Sequence, residues 1–443
     1  MNVNRKLFGT DGVRGVAGER LTAELALALG RAATAVCPAA RPQVLIVRDT
    51  RESGPMLESG LAAGIAEAGG DALGAGVIPT PAASILVRRL GLDLAAVVSA
   101  SHNPWQDNGI KFFGPDGRKL DGELEARIEA LVQQPDGGHG PAGGQGIGRV
   151  RELEGGLADY LRELERTFRL DLSGRRVVLD CANGSTYRAA PAIFGRLGAD
   201  VEAIAAAPDG RNINRGCGST DPEALIERVK ASGASIGFAF DGDGDRVLAV
   251  DSDGRLRDGD ELIALIATHL AASGRLGGGI AVTVMSNYGF HNAMDAAGIE
   301  VATTPVGDRS VSAELERREW GFGGEQSGHL IWTDFAPTGD GIAAALLTLE
   351  ALGDGDLAAA RPIERLPQVL ENVRVADRDA VAAGRPLREA VERESAALEG
   401  RGRVLVRPSG TEPLIRVMVE APQLDEAQAV CGRLVELVER QPA

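Results

Sequence analysis

Short apolar runs alternate with amphipathic stretches along most of the chain. Strands of the fully buried type are expected at residues 44–47, 72–77 and 95–100, with helices at 55–68 and up to residue 90. Strands that read as continuous apolar runs between helices indicate a mostly parallel sheet covered on both faces. Residues 134–148, rich in Gly, Pro and Gln, interrupt the pattern, and a charged helix is expected at 153–167. A second series then places strands at 176–180, 201–204 and 235–240, and a turn at 251–254 starts a third, with strands at 280–285 and 301–305 and a helix at 341–352. Beyond it the chain turns acidic and Ala-rich, Pro362 and Pro367 break the periodicity, and a strand at 371–375, a helix at 387–398, two strands and a closing helix make a smaller unit. The fold class expected is α/β, with three related domains of mixed, mostly parallel sheets followed by a smaller C-terminal α+β domain. A prior of roughly 150 residues per domain suggests about three domains, and the pattern itself places boundaries at 1–150, 151–252, 253–365 and 366–443.

The strand ending at residue 240 carries the strongest chemical signal, because 238–246 read Phe-Ala-Phe-Asp-Gly-Asp-Gly-Asp-Arg. Alternate residues of an extended segment project the same way, so Asp241, Asp243 and Asp245 converge. Carboxylates ~4 Å apart repel by ~1 kcal/mol per pair in water and by more in a shielded site, so a cation is the natural neutraliser. Oxygen-only ligands favour magnesium, calcium or manganese over zinc. A calcium EF-hand would need Gly and Glu at the sixth and twelfth positions, where this chain has Arg246 and Ser252. The bland alternative is a solvated acidic turn.

Composition narrows the partners. A net charge of -16 argues against nucleic acid as a partner, and an anionic substrate must be held by local arginines against the overall field. The 59 glycines, about twice the usual ~7%, supply many tight turns. Cys37, Cys181, Cys217 and Cys431 are scattered, which fits neither a zinc site nor a disulfide framework and points to a reducing cytoplasm. Residues 1–18 hold no apolar core of a signal peptide, and the run at 25–37 is broken by Arg31, so no membrane segment is expected.

Other loops add to this. The strand at 95–100 ends in a loop carrying Ser101 and His102, at the carboxyl end of a parallel strand where α/β proteins bind ligands. Adjacent Ser and His do not make a hydrolytic pair, and no Gly-x-Ser-x-Gly elbow is present. A serine beside a magnesium site suits phosphoryl transfer instead. Residues 407–413 read Arg-Pro-Ser-Gly-Thr-Glu-Pro between two strands, where Arg407, Ser409, Thr411, the amides around Gly410 and the following Arg416 form an anion cradle. A hairpin with a solvated arginine is the plain alternative. No lysine follows a glycine as a P-loop requires, and the Gly138, Gly140, Gly143 match to a dinucleotide fingerprint lies in the linker.

Five ordered motifs resemble those of the α-D-phosphohexomutase superfamily, most closely its bacterial amino-sugar members: Phe8 to Gly15, Ser99 to Pro104 continuing through Asp107 to Phe113, Asp241 to Arg246, Gly324 to His329, and Arg407 to Pro413. The resemblance covers nearly the whole chain and implies four domains around a central active-site cleft. It implies that Ser101 is phosphorylated and binds Mg2+ together with Asp241, Asp243 and Asp245. The phosphoryl group would pass to glucosamine 6-phosphate through a bound glucosamine 1,6-bisphosphate, with glucose 1,6-bisphosphate as an alternative activator, to yield glucosamine 1-phosphate for UDP-N-acetylglucosamine synthesis. Catalytic roles fall on Ser101 and His102, with Lys111, His329 and Arg14 as acid/base candidates. Arg246, Asp308, Arg309, Glu325 and Ser327 would bind the sugar, and Arg407, Ser409, Gly410, Thr411 and Arg416 the distal phosphate. Ser310 departs from the family, which carries an aromatic there. A homodimer is compatible with this reading. The rivals are a phosphomannomutase or phosphoglucomutase and a non-catalytic sugar-phosphate binding protein.

Overall fold

The computed structural model describes residues 7–9, 11–134, 146–409 and 412–440. The chain divides into two compact units, one running up to Met285 and including Ile299–Arg361, the other formed by Ser286–Gly298 and the chain from Pro362 onwards.

Three sheets build the first unit. Strands β1 (Val13–Val16), β2 (Gln43–Arg48), β3 (Asp71–Val77), β4 (Leu94–Val98), β5 (Asp107–Phe113) and β6 (Val150–Glu152) form one sheet in the order β1-β5-β4-β2-β3-β6. Its β2, β3, β4 and β6 run parallel, while β5 lies antiparallel between β1 and β4. Strand β4 is buried at every position, as its unbroken apolar sequence requires. The strand β5 has no counterpart in the hydrophobic pattern, because Lys111 interrupts Ile110 and Phe112, yet Lys111 is itself buried. Helices Ala23–Val36 and Gly54–Glu67 pack against each other at backbone contact: a Cβ on Gly64 would lie 2.0 Å from the Leu27 carbonyl oxygen. The core they close includes Phe8, Val13, Leu29, Val44, Ile46 and Leu61.

The second sheet, β11-β10-β9-β7-β8, holds β7 (Arg176–Asp180), β8 (Asp200–Ile204), β9 (Ile236–Phe240), β10 (Val247–Asp251) and β11 (Leu256–Arg257). Strands β7, β8 and β9 are parallel, and β10 returns antiparallel beside β9 so that the Asp241–Arg246 loop joins them. The third sheet, β13-β12-β14-β15, consists of β12 (Ile280–Thr283), β13 (Val301–Thr304), β14 (Phe322–Gly324) and β15 (Leu330–Trp332). The helix expected from residue 153 begins at Gly156, because residues 153–155 turn from β6 into the helix and Gly155 is left-handed. Residues 135–145 of the linker expected at 134–148, with Gly138, Gly140 and Gly143, lie outside the described residues.

The second unit is α+β. Its antiparallel sheet β16-β18-β17, of β16 (Gln368–Arg374), β17 (Arg403–Pro408) and β18 (Leu414–Glu420), is covered by helices Arg385–Ala397 and Leu424–Glu439 around Val373, Leu387, Ile415, Val417 and Leu434. Buried Glu420 ties this unit together, accepting from Arg403 Nε (2.8 Å), Gln368 Nε2 (2.8 Å), Tyr288 N (2.8 Å) and Asn287 Nδ2 (3.2 Å). Among the described residues no helix is long and apolar enough to cross a membrane.

Candidate active site

Two loops at the carboxyl ends of β4 and β9 meet in the first unit, as expected for a ligand site on a parallel sheet. The Ser101 hydroxyl donates to Asp241 Oδ2 at 2.6 Å, although the two residues are 140 positions apart. The loops touch at backbone level: a Cβ on Gly242 would sit 2.6 Å from the Ser101 carbonyl oxygen and 2.8 Å from Asn214 Nδ2. Ser101 itself has φ +52°, a left-handed backbone that residues with a Cβ seldom adopt outside functional sites.

Asp241, Asp243 and Asp245 are all buried, and one ligand oxygen from each lies within 4.8 Å of the others. Their remaining oxygens are committed unequally. Asp241 Oδ2 takes Ser101, and its Oδ1 takes the Arg246 backbone N–H at 3.2 Å. Asp243 Oδ2 accepts from Lys111 Nζ (2.8 Å) and Thr80 Oγ1 (2.7 Å). Asp243 Oδ1 and Asp245 Oδ1 are buried with no hydrogen-bond partner. Two orphaned carboxylate oxygens beside a third carboxylate fit a hard divalent cation such as Mg2+.

The electrostatics divide the trio. Burial, then the charges of Asp245 and Asp243, push the Asp241 carboxyl well above its usual range. Burial acts the same way on Asp243, but the Lys111 ammonium and the Thr80 hydroxyl outweigh it and hold this carboxyl down. Lys111 is raised despite its burial by Asp11, Asp243 and Asp245, so it enters any reaction as an ammonium, a proton donor and electrostatic stabiliser. A chain of alternating charge continues from it: Asp11 lies between Lys111, Lys119 and Arg14, and Lys119 bridges Asp11 to Asp308. Against the effect of burial, Lys111, Lys119 and Arg14 hold Asp11 well below the ordinary carboxylate range.

His329 Nδ1 faces Asp245 Oδ2 at 3.6 Å, while Nε2 accepts the Gly339 backbone N–H at 3.1 Å. The hydrogen bonding assigns the tautomer, with the proton on Nδ1. Although Asp245, Asp308 and Glu325 raise this ring against its burial, a second proton at Nε2 has to displace the Gly339 bond. His102 Nδ1 lies 3.3 Å from Ser101 Oγ, and burial followed by Arg246 and Arg14 lowers its basicity.

Ser101, His102, Lys111, the three aspartates, Arg246 and His329 thus come together. Arg246 Nε is 3.9 Å from Asp245 and buried without a hydrogen-bond partner. Arg14 and Asp308 join this group indirectly, Arg14 through Asp11 to Lys111 and Asp308 through Lys119 and Asp11. Glu325 is buried and accepts the Gly307 N–H at 3.1 Å, and Ser327 is exposed on the same loop. Arg309 turns to Glu125, with Nη1 3.0 Å from Oε2. A cavity of about 290 Å3 is lined by Lys119, Asp308, Arg309 and His329 among others.

In the second unit, Arg407 and Arg416 are direct cross-strand partners on β17 and β18. Like charges in that register destabilise a sheet unless an anion joins them, and burial together with Arg416 makes Arg407 a weaker base than usual. Arg378 braces the following turn through the Ser409 carbonyl and, at 3.1 Å, that of Glu412. Ser409 Oγ accepts the Glu412 N–H at 3.3 Å, and Gly410 and Thr411 lie outside the described residues.

Several contributors carry no sequence signal: Thr80 on Asp243, Lys119 between Asp11 and Asp308, and Arg51 with Asn214 behind Ser101. Each is a single residue remote from the motif it serves.

Four domain families match the chain: phosphoglucomutase/phosphomannomutase alpha/beta/alpha domain I over residues 5–137, domain II over 158–254, domain III over 258–369, and the C-terminal domain over 370–437. A phosphoglucosamine mutase of Pelotomaculum thermopropionicum is 52% identical over 98% of both chains, and one of Geobacillus kaustophilus is 46% identical over 98% of this chain and 99% of its own. Among solved structures, a phosphoglucomutase/phosphomannomutase family protein of Burkholderia thailandensis matches with TM-score 0.85 at 25% identity, covering 99% of this chain and 98% of that one. An Aspergillus fumigatus N-acetylphosphoglucosamine mutase, solved with GlcNAc-6P and magnesium, shares the fold with TM-score 0.70 at 18% identity, covering 98% of this chain and 95% of its own. The chain belongs to the phosphoglucosamine mutases of the α-D-phosphohexomutase superfamily.

Proposed function

We propose that the enzyme interconverts glucosamine 6-phosphate and glucosamine 1-phosphate through a phosphoryl group carried on Ser101. The observation that carries this reading is the Ser101 hydroxyl 2.6 Å from Asp241, within a trio of buried carboxylates that keeps two oxygens uncommitted. Asp241, Asp243 and Asp245, with the phosphorylated Ser101, would hold Mg2+, which supplies Lewis-acid neutralisation of the transferring group. The magnesium and GlcNAc-6P of the Aspergillus relative support this choice of ion and substrate class.

In the first half-step the sugar O1 attacks phosphorus, the Oγ–P bond breaks, and the proton of the sugar hydroxyl leaves as Ser101 Oγ regains one. The resulting glucosamine 1,6-bisphosphate turns over. Ser101 Oγ then attacks the other phosphorus, the O6–P bond breaks, and O6 takes up a proton. Lys111, held as an ammonium, stabilises the charge on the transferring group from the side of Asp243. His102, beside Oγ, is placed to exchange its proton, and His329 orients Asp245 through Nδ1–H. Arg14 acts on the same charge network. Glu325, Ser327, Arg246, Asp308 and Arg309 are assigned to the sugar, and Arg407, Ser409, Gly410, Thr411 and Arg416 to the phosphate that is not reacting. The division at 1–150, 151–252, 253–365 and 366–443, a cytoplasmic location and glucose 1,6-bisphosphate as activator complete the reading.

Coupled assays on the 6-phosphates of glucosamine, glucose and mannose test the substrate. Preference for glucosamine is expected, and equal or better turnover of either neutral sugar overturns it.

A further inference from the structure

The buried side chain with the most contacts to the Ser101 loop, in which Ser101 has a left-handed backbone, sits behind the loop and touches no reacting atom. Arg51 has a fully buried side chain, as has its partner Asp49. All five of its guanidinium N–H groups are used. Nε donates to Asp49 Oδ2 at 2.8 Å; Nη1 donates to the Asp107 carbonyl at 3.0 Å and to that of Pro104; Nη2 donates to the carbonyls of Ser101 at 2.9 Å and Asn103 at 2.8 Å. The Ser101 N–H is fixed by the same pair, since it donates to Ser99 Oγ at 3.0 Å and Ser99 donates to Asp49 Oδ2 at 2.6 Å. From the second sheet's domain, Asn214 Nδ2 repeats the contacts to the Ser101 and Asn103 carbonyls at 2.9 and 3.2 Å.

The direction of these bonds has a chemical result. Four loop carbonyls point inward at one cation, and the φ of +52° that brings the Ser101 carbonyl among them leaves Oγ on the opposite side, at Asp241. A relaxation to right-handed backbone withdraws the carbonyl from Arg51 and Asn214 and swings Oγ away from the carboxylates. Lysine cannot replace the guanidinium, because three donors on one nitrogen cannot span four carbonyls and a carboxylate.

We propose that Arg51, supported by Asn214, is a positioning residue for phosphoryl transfer: it locks the backbone conformation in which Ser101 Oγ faces the carboxylate trio. The proposal rests on the reading that Ser101 carries the phosphoryl group. The same locked geometry then serves both half-steps, in which Oγ loses phosphorus to one end of the sugar and receives it from the other.

The test times phosphoryl uptake on Ser101 from glucose 1,6-bisphosphate by intact mass, alongside glucosamine 6-phosphate turnover, in full-length Arg51→Lys and Asn214→Ala at a temperature well below their unfolding. Arg51→Lys is expected to slow uptake and kcat by about 100-fold, the scale of an ångström misplacement, and Asn214→Ala by about 10-fold. KM and the Mg2+ affinity of the unphosphorylated protein stay within about twofold in both, since neither side chain contacts the carboxylates or is assigned to the substrate. Wild-type uptake in folded Arg51→Lys, or a raised KM with kcat preserved, overturns the proposal. If Arg51→Lys does not fold, Asn214→Ala decides by the same criteria. A wild-type enzyme that takes up the phosphoryl group but converts no hexosamine phosphate overturns the mutase reading alone, and the uptake rates still judge Arg51.

Discussion

Replacing Lys111 by methionine keeps the stem of the side chain and removes its charge. The ammonium lies 2.8 Å from Asp243, 3.8 Å from Asp245 and 4.0 Å from Asp11, on a side chain only 3% exposed. At an effective dielectric constant of about 20, a unit charge attracts a carboxylate at these distances by roughly 4–6 kcal/mol, most of it offset by desolvation. Removing one partner of such a buried pair leaves the other uncompensated, so the metal-free variant should lose about 3–5 kcal/mol of stability. The same change makes the carboxylate pocket one charge more negative, so Mg2+ should bind roughly tenfold or more tightly. Stability and metal affinity therefore move in opposite directions, and Mg2+ should restore more stability to the variant than it adds to the wild type. Denaturation across a Mg2+ titration, with calorimetric Kd values, reads both effects. A folded Lys111→Met with unchanged or weaker Mg2+ binding refutes the assignment of Lys111 as the counter-charge of the metal site.

Further outcomes follow from the same geometry. Gly242→Ala drives a Cβ against the Ser101 carbonyl, where only 2.6 Å is available, and should cost about 1–3 kcal/mol in stability and about 100-fold in kcat; unaltered turnover contradicts the tight meeting of the two loops. Arg407→Ala should raise the KM for glucosamine 6-phosphate by roughly 10- to 100-fold, the value of a charge-assisted bidentate contact, and relieve the repulsion of Arg416; an unchanged KM rules out the clamp. Burial lifts the Asp340 carboxyl from its ordinary 3.8 to about 7, despite bonds from Ala343 N and Tyr160. Its contribution to stability is therefore complete below pH ~4 and is lost as pH rises through about 7, by up to about 4 kcal/mol. Asp340→Asn keeps the helix cap and should flatten that decline; urea midpoints at pH 5 and pH 8 that shift equally in both proteins refute it.

The parts of the site visible in the sequence are those encoded by local spacing. Period-two aspartates after an apolar strand specify the carboxylate trio, and an apolar strand ending in Ser-His specifies a loop at the carboxyl end of a sheet strand. The chemistry of Ser101 was not readable from its hydroxyl alone and came from resemblance across five motifs. Strand β5 escaped the hydrophobic pattern because its middle residue, Lys111, is a buried lysine neutralised from other loops, a condition that only the tertiary structure reveals. Arg51, Thr80 and Asn214 act on the site from three separate segments, and no spacing connects them to it. Arg309, assigned to the sugar from its motif, pairs its guanidinium with Glu125 on the helix Gly122–Val132, a partner its place in the sequence does not show. The cross-strand pairing of Arg407 with Arg416 depends on register, which the hairpin sequence does not state.

The central claim is that the Ser101 hydroxyl and the carboxylate trio form one phosphoryl-transfer site. Intact-mass measurement of wild type and Ser101→Ala after incubation with glucose 1,6-bisphosphate and Mg2+, with turnover of glucosamine 6-phosphate followed in the same samples, tests it most directly. The account predicts a single phosphoryl group and turnover in the wild type, and neither in the variant. Sustained turnover by Ser101→Ala contradicts it.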